Sequence, residues 1–495
     1  MLNSVDFSGR PFHFIGIGGI GMSALAYILT QRKLPVSGSD LSLNHITQRL
    51  QEQGAHIFCS QDAANLQAFQ AAKPDEGEAF NPSSGSRQSL NARALPQVIC
   101  STAINPENAE YRAALKLGCP IFHRSDLLAA LMHEYRGIAV AGTHGKTTTS
   151  SMIGYLLLQA GLDPTIVIGG EVKAWEGNAR AGQSPYLVAE ADESDGSLVN
   201  LTAHIGVVTN IELDHPDHYA TLDEVIATFQ TFAQQCQTLI ACIDSPTVNL
   251  ALQPTISYSI QPQISADYTV DQVVYQADGT TAQVWERGQV LGQLQLGLLG
   301  NHNLSNALAA IAVGRLVGLE FCQIAPILKT FEGARRRFEQ RGEYSQILFI
   351  DDYAHHPSEI QATLTAARLR AKTSSRRVVA VFQPHRYSRT QTFLDEFAQS
   401  FSEADLVITT DIYSAGELNN GRVTGQQLAE SIAAYHPQVI YQSTVSEITA
   451  YLKEVLLPGD LVLFLGAGNL NRMIPELMAF YQTEDHQPSI CVSPT

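Results

Sequence analysis

The chain is short of positive charge. Its 31 lysine and arginine residues are outnumbered by 48 aspartate and glutamate residues, which gives a formal net charge of −17, and no long basic run occurs. Nucleic acids and anionic membranes bind basic faces that displace their counterions. The charge balance therefore argues against both as partners, while a locally positive pocket for a phosphorylated ligand is compatible with it.

Cysteine and long apolar runs are also scarce. The seven cysteines form no C-x-x-C pair and no metal-ligand spacing, so we interpret them as reduced thiols. No uninterrupted run of about 18 apolar residues occurs, and no membrane span is therefore expected. The first residues lack the basic start and apolar run of a signal peptide. We expect a cytoplasmic protein that is a monomer or a weak homodimer.

A length of 495 residues is too great for one ordinary core. Apolar runs alternate with helical patterns in three successive segments, which predicts an α/β fold of three domains in series. The first and third are typical of Rossmann-like domains, and the central one has a phosphate loop and, over residues 256–298, alternating runs that predict appended antiparallel strands. The predicted domains are residues 1–124, 125–333 and 334–495. Residues 73–91, rich in Pro, Ser and Gly, are predicted to be a surface insertion, to which we assign no role.

A glycine loop follows the first predicted strand. Residues 16–21 have the pattern G-x-G-x-x-G between a strand and a helix, which lets backbone N–H groups approach a pyrophosphate at the helix N-terminus. Ser39 and Asp40 end the next strand, where an acidic group can meet a ribose hydroxyl. The pattern alone leaves three alternatives: a dinucleotide such as NAD, another diphosphate nucleotide, or a tight turn without a ligand.

A second glycine loop, residues 142–149, follows the first strand of the central domain. Generic P-loops have a further glycine where this chain has Val140, so the general pattern is not met. The physical parts are nevertheless present, because Lys146 can reach β and γ phosphate oxygens and Thr147 offers a hydroxyl to Mg²⁺. A dehydrogenase needs only the first loop and a simple ATPase only the second. Two loops in separate domains indicate a protein that brings a nucleotide-linked substrate to ATP.

Acidic side chains follow a later strand of the central domain. Residues 190–195 include four carboxylates, and this position beside a phosphate loop suits Mg²⁺, which prefers hard oxygen ligands. The next such strand end carries Asn210, a candidate for orienting ligands, and then Asp214 and His215, either of which is a candidate for a second metal. A zinc site from His215 and His218 lacks a third ligand at a zinc-site spacing.

Polar groups also follow two buried strands of the third segment, at residues 351–357 and 383–389. Open α/β sheets bind ligands at the carboxyl ends of their strands. Arg386 and Arg389 are therefore candidates to hold a carboxylate through charge-assisted hydrogen bonds.

Seven segments, in this order, resemble the family of ATP-dependent Mur ligases. They are residues 16–22, 142–149, 190–195, 300–306, 333–338, 351–357 and 382–389. The ordered set spans nearly the whole chain and is far more specific than either glycine loop alone. The resemblance implies a ligase of peptidoglycan precursor synthesis that uses ATP and Mg²⁺. It further implies that UDP-N-acetylmuramate and L-alanine are joined in an amide bond through an acyl phosphate.

The resemblance also implies roles for individual residues. It implies ATP contacts at Gly142, Thr143, His144, Gly145, Lys146, Thr147, Thr148, Asn303, Arg337 and Asp351. It implies contacts to the UDP-linked substrate at Gly16, Gly18, Gly19, Gly21, Ser39 and Asp40. It implies alanine contacts at His356, Arg386 and Arg389, and metal contacts at Thr147, Glu190 and His215. It implies catalytic roles for Lys146, Glu190, His215 and Arg337.

Several alternatives stay open at this stage. Asn303 and Ser305 are also candidates for capping the predicted helix, Arg336 competes with Arg337, and His355 competes with His356. The carbamylated lysine of some sister ligases has no candidate, because no lysine lies between residues 173 and 329.

Three other functions also stay open. A related ligase reattaches a recycled tripeptide to the same UDP-sugar. An NAD-dependent oxidoreductase leaves residues 142–149 unexplained, and a non-enzymatic nucleotide sensor leaves the arginines and histidines of the last domain unexplained.

Overall fold

The computed structural model describes residues 4–67, 69, 95–372, 375–419 and 421–484, so the predicted insertion at residues 73–91 lies outside the described residues. The chain forms two compact units. Unit 1 comprises Met1–Ala141, Ile153–Val207 and Thr228–Leu239. Unit 2 comprises Gly142–Met152, Val208–Ala227 and Ile240–Thr495.

The N-terminal part of unit 1 is a parallel sheet of five strands in the order β3-β2-β1-β4-β5. Its strands are β1 Phe12–Ile15, β2 Val36–Ser39, β3 His56–Phe58, β4 Gln97–Cys100 and β5 Ile121–His123. Its helices are α1 Ile20–Gln31, α2 His45–Glu52, α3 Ala64–Gln67, α4 Ala109–Leu117 and α5 Arg124–His133. The strand order reverses between β1 and β4, and ligands of open α/β sheets bind at the carboxyl ends of strands beside such a reversal. The first glycine loop follows β1 and lies at this edge.

The remaining strands of unit 1 continue the α/β pattern. They are β6 Arg136–Ala141, β7 Thr165–Val172, β8 Gly177–Arg180 and β9 Tyr186–Glu190. Strand β9 pairs in parallel with both β6 and β7, and β8 pairs antiparallel with β7. Short 3₁₀ helices occupy Lys173–Trp175 and Ser197–Asn200.

Four elements have residues in both units. They are α6 Lys146–Gln159, β10 Ala203–Val208, α7 Leu222–Gln234 and β11 Cys236–Cys242. The predicted central domain therefore contributes to both units.

Unit 2 contains the appended antiparallel strands that the sequence predicts. Its elements here are α8 Pro246–Ala251, β12 Ile256–Tyr258, β13 Tyr268–Gln276, β14 Gly279–Glu286, β15 Gln289–Leu296, α9 Asn301–Leu316 and α10 Phe321–Lys329. Strand β14 pairs antiparallel with both β13 and β15. The antiparallel strands predicted within residues 256–298 are thus confirmed for β13, β14 and β15, whereas β12 pairs in parallel with β13.

The C-terminal part of unit 2 is a sheet in the order β16-β17-β21-β18-β19-β20, antiparallel only between β16 and β17. Its strands are β16 Glu339–Tyr344, β17 Ile347–Asp352, β18 Arg377–Phe382, β19 Leu406–Thr409, β20 Val439–Tyr441 and β21 Asp460–Leu465. Its helices are α11 Pro357–Lys372, α12 Tyr387–Thr392, α13 Leu394–Ala398, α14 Gly425–Ala433, α15 Val445–Val455 and α16 Ile474–Glu484, with a 3₁₀ helix at Leu470–Met473.

Both faces of this C-terminal sheet are covered by apolar side chains. On β17, Leu348 and Ile350 belong to one buried cluster, and Ile347 and Phe349 belong to another. Successive strand residues point to opposite faces, so the continuous apolar run of β17 records burial on both sides.

The α/β class is therefore confirmed, while the predicted boundaries after residues 124 and 333 stay predictions. In the part of the chain that the structure describes, every helix is too short or too polar to cross a bilayer.

A buried polar network lies in the N-terminal part of unit 1, among strands β1 and β2 and helices α3 and α4. The Glu110 carboxylate is inaccessible to solvent and accepts hydrogen bonds from Asn65 Nδ2 at 2.8 Å and from the Ser39 hydroxyl. His13 Nε2 lies 2.8 Å from the same carboxylate, and His13 Nδ1 lies 2.8 Å from Ser37 Oγ. Ser39, a predicted substrate contact, is itself fully buried, and its hydroxyl is bonded inside the domain.

We expect Glu110→Ala to lower the free energy of unfolding of unit 1 by about 3 kcal/mol, because it leaves several buried polar groups without their partner. Trp175 lies in unit 1 and Trp285 in unit 2, and the chain has two tryptophans. Urea unfolding followed by Trp175 fluorescence in a Trp285→Phe background therefore isolates the effect. Glu107→Ala, which removes a largely exposed carboxylate nearby, is the control. Equal losses for the two variants would contradict the expected role of the network.

Candidate active site

The second glycine loop connects β6 to α6 in a conformation that only glycine adopts readily. Gly142 has φ +138° and Gly145 has φ +81°. A Cβ on Gly142 would lie 1.9 Å from Thr209 Oγ1, and a Cβ on Gly145 would lie 2.9 Å from Asn306 Oδ1. Both positions therefore require glycine for backbone conformation and for space.

The predicted phosphate-binding groups gather at the start of α6. Lys146 Nζ donates hydrogen bonds to the carbonyls of Gly142 and Thr143 at 2.7 and 3.1 Å, so its ammonium lies over the loop. Thr147 is buried, and its hydroxyl lies 3.5 Å from a guanidinium nitrogen of Arg337. The structure thus brings three of the predicted nucleotide-binding side chains into one cluster.

Asn303 lies inside a helix and does not cap it. Helix α9 begins at Asn301 with Gly300 as its N-cap, so the alternative of helix capping for Asn303 is wrong. Asn303 Nδ2 donates to the carbonyl of Leu299 at 2.8 Å, and Asn303 Oδ1 lies 3.4 Å from Asn306 Nδ2. Asn306 lies at the phosphate loop, since its Oδ1 is 2.9 Å from the position that a Cβ of Gly145 would occupy, and the sequence pattern did not predict this contact.

His144 lies between two carboxylates. Its Nε2 is 3.3 Å from Glu212 and its Nδ1 is 3.3 Å from Glu359. Burial lowers the pKa of His144, but the hydrogen bonds and charges of the two carboxylates outweigh it and raise the pKa to about 10. The same contacts hold the pKa of Glu212 at about 2 against its burial. An imidazolium therefore connects the phosphate loop to the first turn of α11 in unit 2.

One group of three metal-type donors occurs among the described residues. His144, Glu212 and His356 have donor atoms within 4.8 Å of one another. The two carboxylates beside His144 raise its pKa, so without a metal the described contacts of this cluster form an ion-pair network.

The two adjacent histidines of unit 2 have different surroundings. His355 Nδ1 lies 3.0 Å from the carbonyl of Tyr353 and 3.2 Å from Glu359. His356 Nδ1 accepts the N–H of Ser358 at 3.3 Å, and its buried Nε2 has no hydrogen-bond partner among the described residues. Burial lowers the pKa of His355 to about 3 and that of His356 to about 4, so both are neutral at neutral pH.

The two predicted carboxylate-binding arginines already hold carboxylates. Arg389 is 2% exposed, and its Nε donates to Asp214 Oδ1 at 2.8 Å. Arg386 donates to Asp217 and has a left-handed backbone with φ +71°. Arg389 holds the pKa of Asp214 well below its usual range despite burial. Because Asp214 is committed to Arg389, it is a poor candidate for the second metal ligand.

His215 remains as the other candidate of that pair. Its backbone is left-handed with φ +55°, and its N–H donates to Asp214 Oδ1 at 2.6 Å. Its Nε2 lies 3.6 Å from Asp214 Oδ2. The strained backbone of a non-glycine residue is typical of functional positions.

Arg336 and Arg337 have separate partners. Arg336 donates to the carbonyl of Gly466 at 2.6 Å and lies 3.5 Å from Asp351, which is 1% exposed. Arg337 instead faces Thr147 and lies 3.9 Å from Glu359. The geometry therefore favours Arg337 over Arg336 as the phosphate-loop contact.

In unit 1, the first glycine loop is bonded to Asp40. Gly16 has φ +80°, and the N–H of Gly18 donates to Asp40 Oδ2 at 2.8 Å. A Cβ on Gly18 would lie 2.8 Å from the same oxygen. The carboxylate predicted to meet a ribose thus also fixes the loop conformation.

The acidic segment of unit 1 is divided between different partners. Glu190 ends β9 and accepts the N–H of Gly169 at 2.8 Å. Asp192 and Asp195 lie 2.7 and 3.4 Å from the guanidinium of Arg124. Arg124, Glu212 and Glu359 were missed by the sequence analysis. Arg124 could have been predicted as a site residue, because it is a charged residue directly after strand β5.

Three family models match the chain in series. They are "Mur ligase family, catalytic domain" at residues 11–136, "Mur ligase middle domain" at 140–314 and "Mur ligase, glutamate ligase domain" at 336–468. This series confirms the predicted succession of three domains.

Close relatives match over nearly the whole chain. The chain is 66% identical to the UDP-N-acetylmuramate--L-alanine ligase of Nostoc punctiforme, over 97% of this chain and 98% of that protein. It is 65% identical to the protein of the same name from Trichormus variabilis, over 97% and 98%.

Solved structures share the fold. The UDP-N-acetylmuramate-alanine ligase of Thermotoga maritima matches with a TM-score of 0.77 at 26% identity, over 96% of this chain and 99% of that one. A murein peptide ligase from Psychrobacter arcticus matches with a TM-score of 0.69 at 23% identity, over 97% and 100%. The identity and coverage of the sequence relatives show that this chain belongs to the Mur ligase family.

Proposed function

We propose that this chain joins L-alanine to the carboxylate of UDP-N-acetylmuramate, with ATP and Mg²⁺. As a member of the Mur ligase family it is an ATP-dependent ligase that forms an amide bond in peptidoglycan precursor synthesis. The observation that carries the choice of substrates is the near full-length identity to relatives named UDP-N-acetylmuramate--L-alanine ligase.

The proposed reaction has two steps. A carboxylate oxygen of the muramate attacks the γ-phosphorus of ATP, and ADP leaves, which forms an acyl phosphate. The uncharged amine of alanine then attacks the acyl carbon, and the tetrahedral intermediate expels phosphate. ATP is needed because a carboxylate is a poor electrophile at neutral pH. Alignment of the reactants can lower the barrier by roughly 7–11 kcal/mol.

The loop of unit 2 supports ATP binding by residues 142–148. Positive φ values at Gly142 and Gly145 turn the loop so that backbone amides can face phosphate. Lys146 and Arg337 provide two cations, next to the Thr147 hydroxyl, for the charge of the transferring group.

We assign Mg²⁺ to Thr147, Glu190 and His215 on the strength of the family resemblance. The hydroxyl and carboxylate oxygens of this set are hard ligands that suit the ion, and Glu190 ends a strand, as such ligands commonly do. When bound, Mg²⁺ neutralises phosphate charge.

The alanine site is proposed at His356, Arg386 and Arg389. Arg386 is the better candidate for the alanine carboxylate, since its side chain is 31% exposed and that of Arg389 is 2% exposed. Arg389 then acts by holding Asp214 in place. The neutral state of His356 suits a group near the alanine ammonium, because an uncharged imidazole does not repel it.

The alternative within the family is the ligase for a recycled tripeptide, which uses the same UDP-sugar. A cytoplasmic location and a monomeric or weakly dimeric state also stay predictions.

Phosphate release from ATP and Mg²⁺ tests the proposal. We expect release only when UDP-N-acetylmuramate and L-alanine are both present, with a product whose mass equals their sum minus water. Release with the tripeptide but not with alanine would assign the chain to the recycling ligase. No release with either acceptor, in folded protein, would contradict the proposed function.

Lys146→Ala should lower kcat by at least about a hundredfold, because it removes a cation aimed at the charge that develops during phosphoryl transfer. Steady-state kinetics of phosphate release measure the effect. Lys116→Ala, at an exposed position of α4, is the control. Near-normal turnover of Lys146→Ala would remove the loop lysine from the mechanism.

Gly142→Ala should abolish ATP binding, because its Cβ would overlap Thr209 Oγ1 and force the loop to rearrange. Gly161→Ala is a matched control: Gly161 also has a positive φ, +80°, and follows the same helix, yet a Cβ there meets no atom of the described chain within 4 Å. Calorimetric titration with ATP compares the two variants. Similar ATP affinities would show that the loop conformation is not required.

A further inference from the structure

The guanidinium of Arg124 lies between two functional segments of unit 1. Arg124 is the first residue of α5, directly after β5. Its NH2 is 2.7 Å from Asp192 Oδ2 and 3.4 Å from Asp195 Oδ2. Its NH1 is 3.4 Å from the position that a Cβ of Gly21 would occupy. The side chain thus extends from the acidic segment after β9 to the first turn of α1.

The first turn of α1 has the features of an anion site. None of the described side chains caps its N-terminus at Gly19, and the turn contains no acidic residue. The first N–H groups of a helix have no carbonyl partner within it and carry a partial positive charge. The N–H of Gly18 is bonded to Asp40, and that of Gly19 to the carbonyl of Gly16 at 3.2 Å. We therefore assign the anion to the first-turn amides that follow them.

Neighbouring side chains fix both parts of this arrangement. Asn178 Nδ2 donates to the carbonyl of Ile20 at 2.5 Å and to Ser23 Oγ at 3.0 Å, which holds the first turn of α1. Asp192 accepts hydrogen bonds from the N–H and hydroxyl of Ser194 at 3.1 and 2.9 Å. The carboxylate that holds Arg124 is therefore oriented by its own loop.

We propose that Arg124 binds the diphosphate of the UDP-linked substrate, together with the first-turn amides of α1. This inference rests on the proposed function and names a binding residue that the glycine motif does not include. A guanidinium presents paired N–H groups that match phosphate oxygens. NH2 is held by the two aspartates, and NH1 is the nitrogen beside Gly21, where a glycine-loop pyrophosphate binds.

The position of Arg124 also distinguishes two anionic groups of the substrate. The diphosphate belongs at the helix N-terminus, whereas the muramate carboxylate has to reach the γ-phosphate of ATP. Because NH1 lies beside the helix N-terminus, the diphosphate is the group we assign to Arg124.

Calorimetric titration of the intact chain with UDP, without ATP or Mg²⁺, tests the assignment. We expect Arg124→Ala to raise the Kd for UDP by at least about tenfold, as for the loss of a charge-assisted hydrogen bond. Arg124→Lys should give an intermediate Kd, because it keeps the charge and loses the paired N–H groups. Arg112→Ala, which removes an exposed arginine of unit 1, should leave the Kd unchanged. Trp175 fluorescence and thermal unfolding show whether each variant is folded.

Further ligands separate the outcomes. Arg124→Ala should weaken UDP and UDP-N-acetylmuramate by the same factor and leave uridine binding unchanged. A loss confined to UDP-N-acetylmuramate would assign Arg124 to the sugar carboxylate and overturn the proposal. An equal loss for uridine would show that Arg124 only supports the fold. An unchanged Kd for UDP would show that Arg124 does not bind the diphosphate.

Activity gives an independent measure. The KM for UDP-N-acetylmuramate should rise in Arg124→Lys while the KM for ATP stays unchanged. If the wild-type chain binds UDP but joins no alanine, the proposed function fails and the Arg124 test still stands. If the wild-type chain does not bind UDP, the assignment of Arg124 is contradicted together with the proposed function.

Discussion

An imidazolium between two carboxylates holds the phosphate loop of unit 2. Burial alone would favour neutral His144, but Glu212 and Glu359 reverse this preference and keep it charged. Since a buried ion pair leaves an uncompensated charge when one partner is lost, His144 and Glu359, each 14% exposed, constrain each other, and Glu212 adds a more exposed carboxylate. The loop that carries Lys146 is thereby fixed to the segment after β10 and to the start of α11. Arg389 of α12 forms an ion pair with Asp214, which lies in the same segment after β10.

Polar groups lie at the carboxyl ends of the parallel strands, and this placement was predictable from the sequence. Buried strands appear as continuous apolar runs, and the polar residues directly after them fall at one edge of the sheet. The loop after β6 and the residues after β17 and β18 were identified in this way. The need for glycine at residues 142 and 145 was also predictable, because a phosphate loop requires a turn that other residues do not adopt readily.

The pairing of charged side chains across distant segments was not predictable. Arg386 and Arg389 were predicted to bind the carboxylate of a ligand. In the structure they donate hydrogen bonds to Asp217 and Asp214. Residues 190–195 were expected to suit Mg²⁺ as a group, and within that segment Asp192 accepts a hydrogen bond from Arg124. The location of a residue at a sheet edge is predictable from local sequence, whereas the ion-pair partner of its side chain depends on tertiary geometry. The same limit explains why the role of Glu359, in the first turn of α11, was not predicted.

The fate of the muramate carboxylate oxygens tests the central claim most directly. UDP-N-acetylmuramate labelled with ¹⁸O in its carboxylate is converted with ATP and L-alanine, and the released phosphate and ADP are weighed by mass spectrometry. An acyl phosphate transfers one carboxylate oxygen to phosphate when the amine displaces it, so one ¹⁸O atom should appear in inorganic phosphate and none in ADP. Unlabelled phosphate alongside the amide product would contradict activation of the carboxylate by the γ-phosphate.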